Sequence, residues 1–206
     1  KDYTYQDIRL AGNFRRNAFD GSLQVEDPNV SLLVNGLVES KRENTVVNLS
    51  IDLEHFKPDK LHLLDKFEEP DISFALNADF VGNNIDNVVG RIDVDDLSFK
   101  TQPDSFYLKK LSVEAGTENG LRQLKIASDL INGEVKGAYS FGTIVPSFMN
   151  TLKGYIPALI NAKQMSGKFD ANDFTLLLTI ENTEALSHTL KLPVTMIQPA
   201  RIAGSY

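Results

Sequence analysis

Apolar and polar residues alternate one for one along most of this chain, and few patterns restrict a fold more. Val47, Leu49, Ile51 and Leu53 are separated by Asn48, Ser50 and Asp52. Ile72, Phe74, Leu76, Ala78 and Phe80 are separated by Ser73, Ala75, Asn77 and Asp79. Leu111, Val113 and Ala115 repeat the pattern, as do Leu124 and Ile126, Val135, Tyr139 and Phe141, and Phe174, Leu176, Leu178 and Ile180. A period of two belongs to the strand, whose successive side chains point to opposite faces. Between the runs stand "GNN" from Gly82, "GTENG" from Gly116, "NG" at Asn132 and "SG" at Ser166. Asn and Gly accept the positive φ that tight hairpins demand. Strands joined this closely pair antiparallel, because parallel neighbours need crossovers of a dozen or more residues.

One phrase recurs. Gly21, Gly90 and Gly167 each open G-x-Φ-x-[V/A]-x-D, through Leu23, Val25 and Asp27, then Ile92, Val94 and Asp96, then Phe169, Ala171 and Asp173. Its expected form is a hairpin: the glycine leaves a turn, the strand buries alternate side chains, and the aspartate caps a bend. An ordinary all-β chain of this length also supplies several such hairpins.

Two segments depart from period two. Ile144, Val145, Phe148, Met149, Leu152, Tyr155 and Ile156 have helical spacing. With Pro146 in the first turn and Gly154 at the stop, a helix is expected over 145–153. A weaker helix is expected over 58–67, opened by Pro58 and placing Leu61, Leu64 and Phe67 on one side.

The chain has 206 residues, 42% of them hydrophobic, and a formal charge of −7. That content supports a sizeable core. Scattered cations and net acidity argue against nucleic acid, and less strongly against anionic lipid head groups. Cysteine is absent, which removes disulfides and thiolate chemistry. His55, His62 and His188 lack metal-ligand spacing. The acids of "DVDD" at Asp93 lack the glycine and distal glutamate of a calcium loop and read as a solvated strand edge. G-x-S-x-G, GxGxxG and the phosphate-binding loop are all missing. No enzyme, cofactor or metal is expected. Both termini read as mid-element, so the chain is expected to be an internal fragment.

Many strands with one oily face have few ways to settle. Two stacked sheets or a closed barrel bury the oily faces against each other. A sheet that curls without closing leaves a trough for a partner or ligand to fill. Periodicity leaves both open.

Residues 74–159 weight the choice. In order they carry "ISFALNADFVGNNIDNVVGRIDVDDLSF", "FYLKKLSVEAG" and "LRQLKIASDLINGEVKGAYSFGTIVPSFMNTLKGYIPAL". This succession resembles the TamB/AsmA-like family in its Bacteroidetes form. The resemblance implies a mainly β fold: a long curled antiparallel sheet forming an open hydrophobic trough (β-taco-like), with one or two short helices. The chain then reads as one fragment of a larger repetitive trough, in units 1–66, 67–160 and 161–206, with "PARIAGSY" opening another unit. The implied parent is anchored in the inner membrane and lies in the periplasm. It moves phospholipid between membranes and serves outer-membrane protein assembly with an Omp85-class partner. Under that reading Phe74, Leu76, Phe80, Ile92, Val94, Phe99, Val113, Ile126, Tyr139 and Phe141 line the lipid groove, and Phe148, Met149 and Leu152 plug or cap it. The competing readings are a β-sandwich binding module for a surface or a carbohydrate, and a passive structural spacer. The absence of Trp tells against a typical sugar platform.

Overall fold

The computed structural model describes residues 3–84, 86–140, 142–143, 172–192 and 195–205. They form eleven strands and one short helix: β1 (Ile8–Arg15), β2 (Ala18–Asp27), β3 (Val30–Ser40), β4 (Thr45–Phe56), β5 (Asp71–Gly82), β6 (Val89–Lys100), β7 (Ser105–Glu118), β8 (Leu121–Ser128), β9 (Ile131–Ala138), β10 (Asp173–Ile180), α1 (Glu184–Leu190) and β11 (Ala200–Ser205). All eleven strands lie in a single sheet, in chain order. Every neighbouring pair is antiparallel. β1 and β11 are the two edges, so the sheet is open. Neither a second stacked sheet nor a closed barrel forms among the described residues. The strong curl expected of a trough is absent too: the sheet is not strongly curled. Alternation assigns faces but carries no curvature, which comes from bulges and glycine kinks.

Two bulges sit toward one end of the strands. β4 carries an extra residue at Glu54, between the pairs Leu32–Leu53 and Ser31–His55. β6 carries another at Asp96, whose φ is +54°. β7 follows β6 in register there, so Leu97 faces Leu108 and Phe99 faces Phe106. A bulge restores the face of the side chains beyond it. Strict alternation from Ile92 and Val94 would turn Phe99 away; the bulge puts it opposite Ile72, on the apolar side.

The recurring glycine phrase is built differently from the expected hairpin. Gly21 lies within β2, facing Gly12 and Gly36, and Gly90 lies within β6. A Cβ on Gly90 would meet Asp79 O at 2.2 Å and Phe80 Cα at 2.4 Å, and its φ is +147°. The glycine is needed for close strand approach, not for leaving a turn. Asp27 does cap a bend, accepting the backbone N–H groups of Asn29 at 2.9 Å and Gln6 at 3.0 Å. Asp96 instead sits on the bulge and accepts from the Tyr107 hydroxyl. The third copy falls mostly outside the described residues; its Asp173 opens β10. Asn132 and Gly133 lie inside β9, so the turn before them is at Asp129–Leu130, and Gly133 makes room for Leu178. The "DVDD" acids lie on β6, an interior strand with neighbours on both sides, and not on an edge.

The segment expected as a weak helix over 58–67 is a run of turns. Leu63 N–H donates to Pro58 O at 2.9 Å, and His62 breaks any helix with φ +60°. Its Leu61 is 3% exposed and joins Val25, Val30 and Leu53, with Phe56, Ile72 and Phe74 packed around them. Covering that side chain contributes about 2 kcal/mol. The helix expected over 145–153 lies outside the described residues. α1 was not expected. Asn182 Oδ1 accepts the Glu184 N–H at 2.8 Å at its start, and Lys191 ends it with φ +55°. It packs against β7. None of the described helices is long and apolar enough to cross a membrane.

Candidate functional site: the apolar face

Cross-strand register sorts side chains into rows that run perpendicular to the strands. One row is Leu10–Leu23–Val34–Ile51–Leu76–Val94–Leu111. A second is Gly12–Gly21–Gly36–Leu49–Ala78–Ile92–Val113–Ile126–Gly133–Leu178–Ile202, which spans all eleven strands. A third, Phe14–Phe19–Val38–Val47–Phe80–Gly90–Ala115–Leu124–Val135–Leu176–Gly204, spans them as well. No polar side chain interrupts the second and third rows. At the usual strand spacing the face is roughly 50 Å long.

The expected groove residues occupy this face as follows. Leu76 and Val94 share the first row, Ile92, Val113 and Ile126 the second, and Phe80 the third. Phe74 faces Leu53 and Phe99 faces Phe106, both at the covered end. Tyr139 follows β9 at the opposite end, 6% exposed, with its ring 6.1 Å from that of Phe174. Phe141, Phe148, Met149 and Leu152 lie outside the described residues. Leu49, Ile51, Leu23, Val34, Leu124, Leu176 and Leu178 belong to the same face and were not singled out; their own alternation is the signal that finds them.

Burial along the face is uneven. Central positions such as Leu76, Ile92, Val113 and Ile126 are half-buried. Fully buried positions concentrate at the strand ends: Val25, Val30 and Leu53 under the Leu61 turns, and Phe99, Phe106 and Leu108 on β6 and β7. The Phe67 ring stands edge-on to Phe99 at 5.1 Å. At the other end Arg122 Nη1 donates to Asp86 Oδ1 at 2.9 Å and to Tyr139 O at 2.6 Å, while Ser140 Oγ donates to Asp86 Oδ2 at 3.0 Å. Those bonds tie the β5–β6 loop to β8 and to the chain beyond β9. Along β1 the face is bare: Ile8, Leu10 and Phe14 are 56%, 58% and 69% exposed.

The reverse face is polar and ordered by charge. Asp79 faces Arg91, Arg91 faces Glu114, Glu114 faces Lys125 and Lys125 faces Glu134, so the sign alternates across β5 to β9. Arg91 also holds Asp93 through Nε at 2.6 Å and Nη2 at 2.9 Å. That pairing pulls the Asp93 carboxyl below its ordinary value. A hollow of about 850 Å³ lies on this side, lined by Asn48, Ser50, Asn77, Asp79, Arg91 and Glu114 among others. This hollow lies on the polar face, opposite to the expected trough.

At the covered end Tyr3 Oη donates to Asp27 Oδ1 at 2.5 Å, and Asn29 Nδ2 donates to Tyr3 Oη at 2.9 Å. Burial pushes the Asp27 carboxyl up, but the Tyr3 hydroxyl, the two backbone N–H groups and nearby His55 outweigh it and hold the value below the ordinary one. The Tyr3 phenol is raised in turn by its bond to Asp27. Among the described residues no three His, Cys, Asp or Glu side chains gather as a metal site. What the arrangement offers chemically is apolar area. No family model, curated protein or solved structure matches this chain.

Proposed function

We propose that this chain is a lipid-handling segment of a cell-envelope protein, and that its apolar face holds acyl chains. The observation that carries the reading is the pair of uninterrupted apolar rows from β1 to β11. Each methylene removed from water contributes about 0.8 kcal/mol, so one acyl chain gains on the order of 10 kcal/mol before ordering costs. Rows of aliphatic side chains without polar interruptions discriminate little along their length, so a chain can slide. The head group stays in water, and an acidic protein needs no cation to hold it.

In this reading the sheet curls over its apolar face when chains fill it, giving the open β-taco-like trough. The covered strand ends act as its side walls, and the bare rows at β1 form a mouth. The parent is then a periplasmic, inner-membrane-anchored protein of the TamB/AsmA-like kind. It carries phospholipid between the two membranes and serves outer-membrane protein assembly with an Omp85-class partner. The sequence resemblance over 74–159 and the face both support that assignment.

The test is uptake of a fluorescent phospholipid, with native mass spectrometry of the purified chain. Phe74 is a poor probe, because it packs on the Leu61 cluster and a charge there disrupts folding. Ile92 is better, being half-buried in the middle of the second row. Ile92→Lys should lower lipid uptake about tenfold while the protein stays folded. Chain purified free of lipid that takes up none, or uptake indifferent to Ile92→Lys, removes the proposal and favours a passive spacer.

A further inference from the structure

The two edge strands are copies of one another. From Ile8 the chain reads IRLAGNF, and from Ala200 it reads ARIAGSY. Arg9, Ala11 and Gly12 recur as Arg201, Ala203 and Gly204, and Leu10 and Asn13 recur as Ile202 and Ser205. The structure places the copies equivalently. Leu10 and Ile202 both lie on the apolar face, Leu10 opposite Leu23 and Ile202 opposite Leu178. Both strands run in the same direction, because an even number of antiparallel steps separates them.

Their hydrogen-bonding edges are complementary. In an antiparallel sheet a residue turns its N–H and C=O to one neighbour, and the next residue turns them to the other. Asp7 O accepts the Glu26 N–H at 3.2 Å, so Arg9, Ala11 and Asn13 bond toward β2. Glu181 N–H donates to Leu130 O at 2.8 Å, so Thr179 bonds toward β9 and Leu178 and Ile180 toward β11. Ile202 and Ala200 therefore bond back to β10, and Arg201, Ala203 and Ser205 turn their backbone groups to the open edge. These are the counterparts of the residues with which β1 holds β2.

Gly204 supplies an independent observation. A Cβ on Gly12 would meet Asp20 O at 2.5 Å and Gly21 Cα at 2.7 Å, whereas one on Gly204 meets nothing within 4 Å. Gly12 is demanded by β2 beside it, whereas β10, the strand beside Gly204, makes no such demand. Its glycine matches a neighbour of the β2 kind that this chain does not place there.

We propose that the open edge of β11 is a docking edge for β2 of a second copy of this chain, with β11 standing where that copy's own β1 stands. Gly21, Leu23 and Val25 of the incoming strand then face Gly204, Ile202 and Ala200, as they face Gly12, Leu10 and Ile8 within one chain. β1 is suited to giving way, since every one of its residues is exposed. Such an interface is heterologous and propagates head to tail. It extends the sheet and its apolar rows across molecules, and it does not depend on lipid binding.

The experiment uses the whole chain and a synthetic peptide of residues 16–29. Hydrogen exchange at the Ala203 and Ser205 amides should slow about tenfold with this peptide and stay unchanged with the same peptide carrying Gly21→Val. Sedimentation of the whole chain should show concentration-dependent head-to-tail oligomers, lost in Ala203→Pro, which removes an edge donor. Exchange that ignores the peptide, or responds equally to both peptides, overturns the docking edge. Peptide binding by a chain that stays monomeric at its highest soluble concentration overturns the second copy as the occupant.

Discussion

Phe80 lies directly across from Gly90, whose missing Cβ would come within 2.4 Å of the Phe80 Cα. The same pairing joins Phe174 and Gly137, where the distance would be 2.5 Å. At each pair a Cβ on the glycine would overlap the backbone of the phenylalanine opposite, so the glycine lets the strands approach.

Gly90→Val should therefore destabilise the chain by roughly 3 kcal/mol, combining backbone strain with steric overlap. Gly116→Ala is the control, because a Cβ there meets nothing within 4 Å, and should stay within about 0.5 kcal/mol. Urea unfolding of both variants measures the difference.

The Leu61 turns make a second prediction. Leu61 is 3% exposed and Leu63 is 62% exposed, although two residues apart in one segment. Leu61→Ala should cost about 2–4 kcal/mol through lost burial and a cavity, and Leu63→Ala close to nothing. Equal effects in thermal melts would show that the segment does not sit on the sheet end as described.

Asp27 and Tyr3 make stability depend on pH at both extremes. The Asp27 carboxyl is held below its ordinary 3.8, so its contribution is complete above 3.8 and is lost as pH falls through the lowered value. The Tyr3 phenol is raised above 10.0, so its contribution is complete below 10.0 and is lost as pH rises through the raised value. Tyr3→Phe should reduce stability by a constant amount between those limits, and the deficit should shrink beyond either one. A deficit that persists unchanged well below the carboxylate range would exclude the bond as its source.

The charge ladder on the polar face makes a fourth. Arg91→Ala and Glu114→Ala, alone and together, should show a coupling of about 0.2–1 kcal/mol, the range for opposed charges on neighbouring strands. High salt should reduce it, since Arg91 is exposed. Zero coupling would mean that Arg91 acts only through Asp93.

Much of the sheet is legible residue by residue. The alternation at Val47 to Leu53 and at Ile72 to Phe80 corresponds to β4 and β5, and the members of each run share the face it assigns them. Phe99 shows the limit. Its face depends on the Asp96 bulge, where β6 shifts register by one residue against β5 while staying in register with β7. Gly133 shows another: next to Asn132 it reads as a turn, yet it is mid-strand because Leu178, far along the chain, needs the space. The Leu61 segment has the spacing of a helix and forms turns, because its partners Val25 and Leu53 lie on other strands.

Alternation by itself determined that this chain is antiparallel β and which side chains share a face, because both are local consequences of a two-residue repeat. Only the tertiary structure decided that the sheet stays single and open, that its strand ends are covered, and that a hollow of about 850 Å³ lies on the polar side. Those outcomes depend on bulges, on close glycine contacts and on which distant segments pack over the rows. All three are set by contacts between residues far apart in sequence, which a local period does not encode.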